Sequence, residues 1–296
     1  MFIYYIMSAD YQRREIGFMN WHLVADTSCD LFDLPAETPD ADFATVPFSI
    51  RIGETEYIDT PDISVETMLT ANENHREAAH TSCPSPQDWA EKFAPQGNVL
   101  AFTISSSLSG SYNSARTARE MILEDEPEKK IAVIDSKATG PETVLIIRRA
   151  CELIKSGAAF DHIVEKLNET AERTHIIFAL ASYHNLMKNG RVNRLVGLLA
   201  GHLGFWGIGV GDEQGEIAMR GKARGEKNMI RFMAEEIKKI GLAGKEIVIS
   251  HCQNEEAAGR LREALRALFP QAVIDILPTR GLDSFYAERR GLIVGF

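Results

Sequence analysis

The sequence predicts an α/β protein of two domains, a parallel-sheet, Rossmann-like N-terminal domain and a mixed α/β C-terminal domain, with a cleft or tunnel between them. Three short apolar runs, at residues 22–25, 99–104 and 131–134, each end in small polar side chains, and helical periodicity returns between them. Such apolar runs alternating with helices are typical of parallel strands that are buried on both faces. A chain of 296 residues also exceeds the usual size of one domain.

Apolar faces predict two helices in the later part of the first half. Their spacing places one helix after the third strand and another after Asp161. The residues that share these faces are Val144, Ile147, Cys151 and Ile154, then Ile163, Val164 and Leu167. Ligands of open parallel sheets bind beyond the carboxyl ends of the strands, so the polar strand ends are the expected site.

The second half has a different pattern, and this change predicts a domain boundary near residue 173. A strand is expected at residues 175–182, followed by a glycine-rich stretch at 197–215 to which no strand is assigned. Further strands are expected at 216–220, 246–250, 273–277 and 292–296, with two amphipathic helices among them. The predicted domains are residues 19–173 and 174–296. Residues 1–18 are expected to be a disordered extension or a wrongly assigned start.

Composition argues against several classes of function. The net charge of -10 would repel phosphate backbones and anionic membrane surfaces. No apolar run approaches the roughly 20 residues that span a bilayer. The four cysteines are widely separated and no secretory signal is recognisable, which favours the cytoplasm, and the eight histidines lack metal-ligand spacing. We expect a cytoplasmic protein that binds neither nucleic acid nor a metal or cofactor and does not insert into membranes.

Two loops rich in hydroxyl groups are candidate anion sites. Ser105 and Ser106 end a buried strand, and residues 109–119 after them have the composition of a helix start. Two consecutive hydroxyls in such a place need partners, and a bound anion beside a helix start is a natural one. In the second loop, Thr81 and Ser82 precede a helix that should begin at residue 86. Helix capping is the expected role of the remaining serines, which are Ser85, Ser109 and Ser111.

Two other functions remain open from the residues alone. Ser106 could be the nucleophile of an acyl hydrolase with His80 as its base, although no G-x-S-x-G motif occurs. A regulator that binds phosphate or a nucleotide is also conceivable, although the chain has no G-x-x-x-x-G-K-[ST] motif and no glycine fingerprint after a strand.

Six short motifs, in order along the chain, resemble those of the DegV family of bacterial fatty-acid-binding proteins. The resemblance covers nearly the whole chain from about residue 20. The motifs are Asp26-Thr27-Ser28, Val46-Pro47-Phe48 with Tyr57-Ile58-Asp59, Thr81-Ser82-Cys83-Pro84-Ser85, residues 104–115, Asp135-Ser136, and Lys188-Asn189-Gly190-Arg191-Val192.

This resemblance implies a protein that is not an enzyme and that encloses one long-chain fatty acid in a tunnel. It implies that Thr81 and Ser106 hold the carboxylate, with Ser82 and Ser105 beside them. Some members of the family present the bound acid to a separate fatty-acid kinase, which supplies the chemistry. The loop Asp26-Thr27-Ser28 would lie near the same site.

The chain departs from the family pattern at several places. Cys83 stands where glutamine is frequent, and Tyr286 stands where many members have a histidine near the carboxylate. We expect Tyr286 to donate its hydroxyl there and Arg289 to lie nearby. Apolar residues at 195–199 and 203–206 are candidates for the tunnel lining.

Overall fold

The computed structural model describes residues 21–35, 38, 40–75, 77–192 and 204–296. The expectation for residues 1–18, and most of the candidate tunnel lining at 195–206, lie outside the described residues. In chain order the elements are β1 (Trp21–Asp26), β2 (Ala41–Val46), β3 (Ser49–Ile52), β4 (Thr55–Ile58), α1 (Val65–Asn74), β5 (His80–Ser82), α2 (Pro86–Phe93), β6 (Asn98–Thr103), α3 (Ser111–Asp125), β7 (Ile131–Asp135), α4 (Pro141–Lys155), α5 (Phe160–Arg173), β8 (Ile176–Leu180), α6 (His184–Lys188), β9 (Phe205–Gly211), β10 (Ile217–Arg224), α7 (Glu226–Ile240), β11 (Glu246–His251), α8 (Glu255–Leu268), β12 (Val273–Pro278), α9 (Gly281–Ala287) and β13 (Leu292–Gly295).

The first sheet has four strands in the order β2-β1-β6-β7, and every pair is parallel. Its side chains alternate between two clusters, so that α2 and α3 pack on one face and α4 and α5 on the other. The prediction of a parallel N-terminal sheet, buried on both faces, is therefore confirmed. The carboxyl ends of β1, β6 and β7 share one edge, where the polar loops lie.

The second sheet is mixed, as expected, with strand order β10-β9-β8-β13-β11-β12. The pair β11 and β12 is parallel and the other neighbours are antiparallel. Helices α7 and α8 cover one face. The other face packs against α1, α6, α9 and a small antiparallel sheet of order β4-β3-β5.

Strand β9 lies in the glycine-rich stretch to which no strand was assigned. A β-carbon at Gly207 would lie 2.5 Å from the ring of Tyr183, and one at Gly209 would lie 2.5 Å from the ring of Phe178. The alternate glycines therefore leave room for aromatic rings that lie over the strand. A strand is predicted from a run of apolar side chains, and glycine has no side chain. The sequence pattern therefore does not predict β9, whose faces are covered by rings from other segments.

Helix α4 packs between the two sheets. Eleven of its 15 residues are buried. Val248 of β11 belongs to the same apolar cluster as the α4 side chains, although that strand lies in the second sheet. The backbone of the helix also lies close to β13. A β-carbon at Gly295 would lie only 2.5 Å from the Glu142 nitrogen.

Candidate functional site

The loop after β1 is a buried network that joins the ends of two parallel strands. The Asp26 carboxylate accepts a hydrogen bond from the Ser28 hydroxyl at 2.5 Å, and at its other oxygen from the Ile104 N–H at 3.0 Å and the Ser111 hydroxyl at 2.6 Å. Burial raises the pKa of Asp26, while these hydrogen bonds oppose the rise. The Thr27 hydroxyl accepts the Phe48 N–H at 3.0 Å. Asp26, Thr27 and Ser28 thus support the site through contacts within the protein.

The two consecutive serines after β6 have different environments. Ser105 is buried, and its hydroxyl donates to the Gly215 carbonyl at 2.8 Å and accepts the Ser107 N–H at 3.2 Å. Ser106 is exposed, and its N–H donates to Asp135 Oδ1 at 3.1 Å. Of this pair, Ser106 is the residue whose hydroxyl lies at the surface, and Ser105 ties its loop to the β9–β10 turn.

The helix that follows this loop begins at Ser111, with Gly110 as its N-cap and no capping hydrogen bond from a side chain. The capping prediction is wrong for Ser111, whose hydroxyl donates to Asp26. Ser109, just before the N-cap, does satisfy one amide of the helix start, because its hydroxyl accepts the Ser111 N–H at 3.3 Å. Ser85 does cap α2 and forms a capping box with Asp88. Its capping prediction is confirmed.

Thr81 and Tyr286 meet at the centre of the candidate site. The Thr81 Oγ1 and the Tyr286 hydroxyl lie 2.8 Å apart, although 205 positions separate the residues in sequence. Thr81 lies on β5 and Tyr286 on α9. Burial raises the pKa of Tyr286, so the phenol keeps its proton and remains a hydrogen-bond donor at neutral pH. Ser82, the neighbour of Thr81, is exposed.

Arg191 brings a positive charge to this hydroxyl pair. Its charge acts to lower the pKa of Tyr286, and its Nε donates to the Leu108 carbonyl at 3.2 Å. The motif around Asn189 and Gly190 marked this turn in the sequence, but no role in the site was assigned to Arg191. Its proximity to Tyr286 depends on the packing of α6 against α9, which the sequence pattern does not show.

An apolar cavity of about 70 Å³ adjoins Tyr286. We call it the Tyr286 cavity. Its floor is the second sheet, and α6, α9 and the loops after β6 and β7 form its walls. The lining residues are Leu108, Lys137, Ala138, Thr139, Ile176, Phe178, Leu180, Leu186, Gly211, Gly215, Glu216, Ile217, Asp283, Tyr286, Ala287 and Ile293. The hydroxyl pair thus adjoins an apolar space.

Arg289, expected near Tyr286, forms ion pairs with helix α1. It donates to Glu66 at 2.8 Å and to Glu73 at 2.6 Å, both on α1. The guanidinium beside Glu66 lowers the pKa of that carboxyl to about 2. Arg289 therefore fastens α1 to the end of α9, and its charge is already shared between two carboxylates.

Buried carboxyl groups surround the start of α9. Asp30 and Asp283 each have one oxygen, Oδ2, without a hydrogen-bond partner among the described residues. A β-carbon at Gly140 would lie 2.8 Å from the first of these oxygens and 2.5 Å from the second, so both face the same space. Burial, with the charge of Asp59 nearby, raises the pKa of Asp30 to about 7, and burial together with Asp30 raises that of Asp283. The sequence pattern does not predict this pair, because its members are far apart in the chain.

Other chemistry finds little support in the part of the chain that the structure describes. The exposed hydroxyl of Ser106 has no hydrogen bond to His80 or to any other described histidine. Within the described ranges, no group of three or more acidic, histidine or cysteine side chains could hold a metal ion. No described helix is both long enough and apolar enough to cross a bilayer.

Comparison with known proteins gives consistent matches. The sequence pattern of the DegV family, described as an uncharacterised protein family, matches residues 20–288. A DegV domain-containing protein of Streptococcus pneumoniae is 38% identical over 278 residues, which are 94% of this chain and 99% of that protein.

Two solved structures share the fold closely. The fatty acid kinase (Fak) B3 protein of Streptococcus pneumoniae, loaded with linoleic acid, has a TM-score of 0.91 and 38% identity, and the match covers 94% of this chain and 99% of that one. A DegV family protein of Eubacterium eligens, loaded with heptadecanoic acid, has a TM-score of 0.89 and 32% identity, with 93% and 98% covered. Both of these relatives hold a bound fatty acid in their structures. From the extent of the sequence match, the chain belongs to the DegV family.

Proposed function

We propose that this chain binds one long-chain fatty acid and carries it to a separate fatty-acid kinase. The carboxylate is held by hydroxyl groups, with Thr81, Tyr286 and Ser106 as donors and Arg191 as the nearby positive charge. The acyl chain runs from there into the Tyr286 cavity, which widens into a tunnel. The observation that carries the proposal is the Thr81–Tyr286 pair beside an apolar cavity.

The chemistry of a fatty acid suits this arrangement. Burial of each methylene contributes about 0.8 kcal/mol, so a long acyl chain provides high affinity. A carboxylate is costly to desolvate unless donors replace its water. A threonine hydroxyl, a protonated tyrosine and an arginine charge meet this need.

The acyl chain requires the cavity to widen. The present volume of about 70 Å³ is well below the roughly 300–1,000 Å³ of most ligand sites. Leu108 and Leu186 belong to the wall, and rotation of such side chains enlarges the space without disturbing the sheet behind them. Binding of a long acid therefore changes the packing around Tyr286.

Two observations support a carrier rather than a store. Ser82 and Ser106 are both exposed, so a partner can reach the hydroxyls of both loops from solvent. A relative that is 38% identical carries the name of a fatty-acid kinase system. The net charge of -10 and the free cysteines agree with a cytoplasmic carrier.

Native mass spectrometry of the purified protein, followed by denaturing extraction, tests the proposal. We expect one fatty acid per chain and a higher melting temperature after oleic acid is added. Thr81→Val and Ser106→Ala should each reduce the affinity roughly ten- to a hundredfold, because hydrogen bonds to charged groups contribute about 1.5–3 kcal/mol. Thr55→Val, an exposed change on the same small sheet, is the matched control. A chain that neither releases nor takes up any fatty acid would contradict the proposal.

A further inference from the structure

Three consecutive backbone amides at the start of α9 are held by two buried carboxylates. The Arg280 N–H donates to Asp30 Oδ1 at 2.9 Å. The Gly281 N–H donates to Asp59 Oδ1 and the Leu282 N–H to Asp59 Oδ2, each at 2.9 Å. Asp59 thus uses both oxygens to satisfy amides that have no partner within their own helix.

Asp59 itself is part of the small sheet that carries Thr81. It follows β4 directly, and its N–H donates to the Phe48 carbonyl at 2.9 Å. The central strand β3 pairs with both β4 and β5, and Ile50 of β3 lies opposite Thr81. One side chain therefore joins the sheet that carries Thr81 to the helix that carries Tyr286.

The surroundings of this contact leave it little freedom. A β-carbon at Gly281 would lie 2.7 Å from Asp59 Oδ1, so only glycine lets the carboxylate approach so closely. Near the other end of α9, the Asn185 side chain donates to the Phe285 carbonyl at 2.7 Å. The helix is fixed at both ends, and Tyr286 lies in its last turn.

We propose that Asp59 is a positioning residue, which sets the distance between the Thr81 and Tyr286 hydroxyls and thereby the affinity for a fatty-acid carboxylate. This inference rests on the proposed function. Asp59 does not contact the fatty acid itself and acts only through Tyr286. Asparagine at this position keeps one acceptor oxygen but turns an NH₂ group toward a second N–H donor, which the helix can relieve only by shifting.

A double-variant cycle measured with oleic acid tests the inference. Calorimetric titration gives the affinities of the wild-type chain, Asp59→Asn, Tyr286→Phe and the variant with both changes. We expect Tyr286→Phe to weaken binding about tenfold or more, since it removes a hydrogen bond to a charged group. Asp59→Asn should weaken it by a similar factor, and the second change should add little to the first. Asp62→Asn, an exposed change three positions away, should bind as the wild type does.

The outcomes separate the inference from the proposed function. A wild-type chain that binds no fatty acid overturns the proposed function. If the wild type binds, unchanged affinity in Asp59→Asn overturns the positioning role. The role is also overturned if the loss of affinity in the double variant equals the product of the two single losses, because Asp59 would then act independently of Tyr286. If Asp59→Asn does not fold, Gly281→Ala, which displaces the same carboxylate, takes its place in the cycle with the same expected result.

Discussion

Replacement of Asp283 by asparagine is expected to stabilise the protein at alkaline pH. In the wild type, the unpartnered oxygens of Asp30 and Asp283 face the same space beside Gly140. An asparagine side chain can still accept the Thr139 hydroxyl, which lies 2.8 Å from Asp283 Oδ1, while its NH₂ group faces Asp30. Because burial raises the pKa of both carboxyls, the wild-type pair must retain a proton on folding, whereas asparagine supplies a donor to Asp30 without taking up a proton.

The raised pKa of Asp30 sets an upper limit to the gain in folding stability. Its ordinary value of 3.8 is raised to about 7, so the folded state retains a proton that the unfolded state has lost. Stability therefore falls as the pH rises from about 4 to 7, by up to about 4 kcal/mol for this group. Asparagine at position 283 should recover about 1.5–3 kcal/mol at pH 8, the contribution of a hydrogen bond to a charged group. At pH 5, where Asp30 is protonated, little gain is expected.

Urea unfolding of the wild type and Asp283→Asn at pH 5 and pH 8 measures this difference. The buried charged groups near the pair are Asp26, Asp59 and Arg280, and they are the same in both proteins. Asp62→Asn controls for the loss of one negative charge at the surface. An equal change at both pH values, or a loss of stability at pH 8, would refute the explanation that the wild-type pair retains a proton on folding.

Two further predictions concern other groups. Burial raises the pKa of Glu142 to about 8, so stability is lost between pH 4.5 and 8, and Glu142→Gln should raise the melting temperature at pH 9 much more than at pH 5. Arg289→Ala should leave global unfolding nearly unchanged, because its ion pairs lie at the surface, but amide exchange in α1 should become faster. Hydrogen exchange that is unchanged in residues 65–74 would show that Arg289 does not fasten this helix.

The parallel sheet could be predicted from the sequence because each of its strands is recognisable from its own residues. Strands β1, β6 and β7 are buried on both faces, so each is a continuous apolar run that ends at a polar loop. Strand β9 could not be found in this way. Its alternate glycines, among them Gly207 and Gly209, lie under rings that belong to other segments.

The sequence predicts which residues belong to the candidate site better than it predicts their contacts. Thr81 and Tyr286 were both named, but only the packing of α9 on the small sheet brings their hydroxyls together. Asp30 and Asp283 lie at opposite ends of the chain, and no periodicity connects them. For Arg289 the opposite holds. It is close to Tyr286 in sequence, yet it pairs with Glu66 of α1, more than 200 positions earlier.

Helix α4 makes the two halves of the chain interdependent for folding. It comes before the predicted boundary at residue 173, yet it covers apolar surface of β11 in the second sheet. A fragment of residues 174–296 would leave that surface open to water and prone to self-association. Unfolding of the whole chain should accordingly be a single cooperative transition, in which neither half survives the loss of the other.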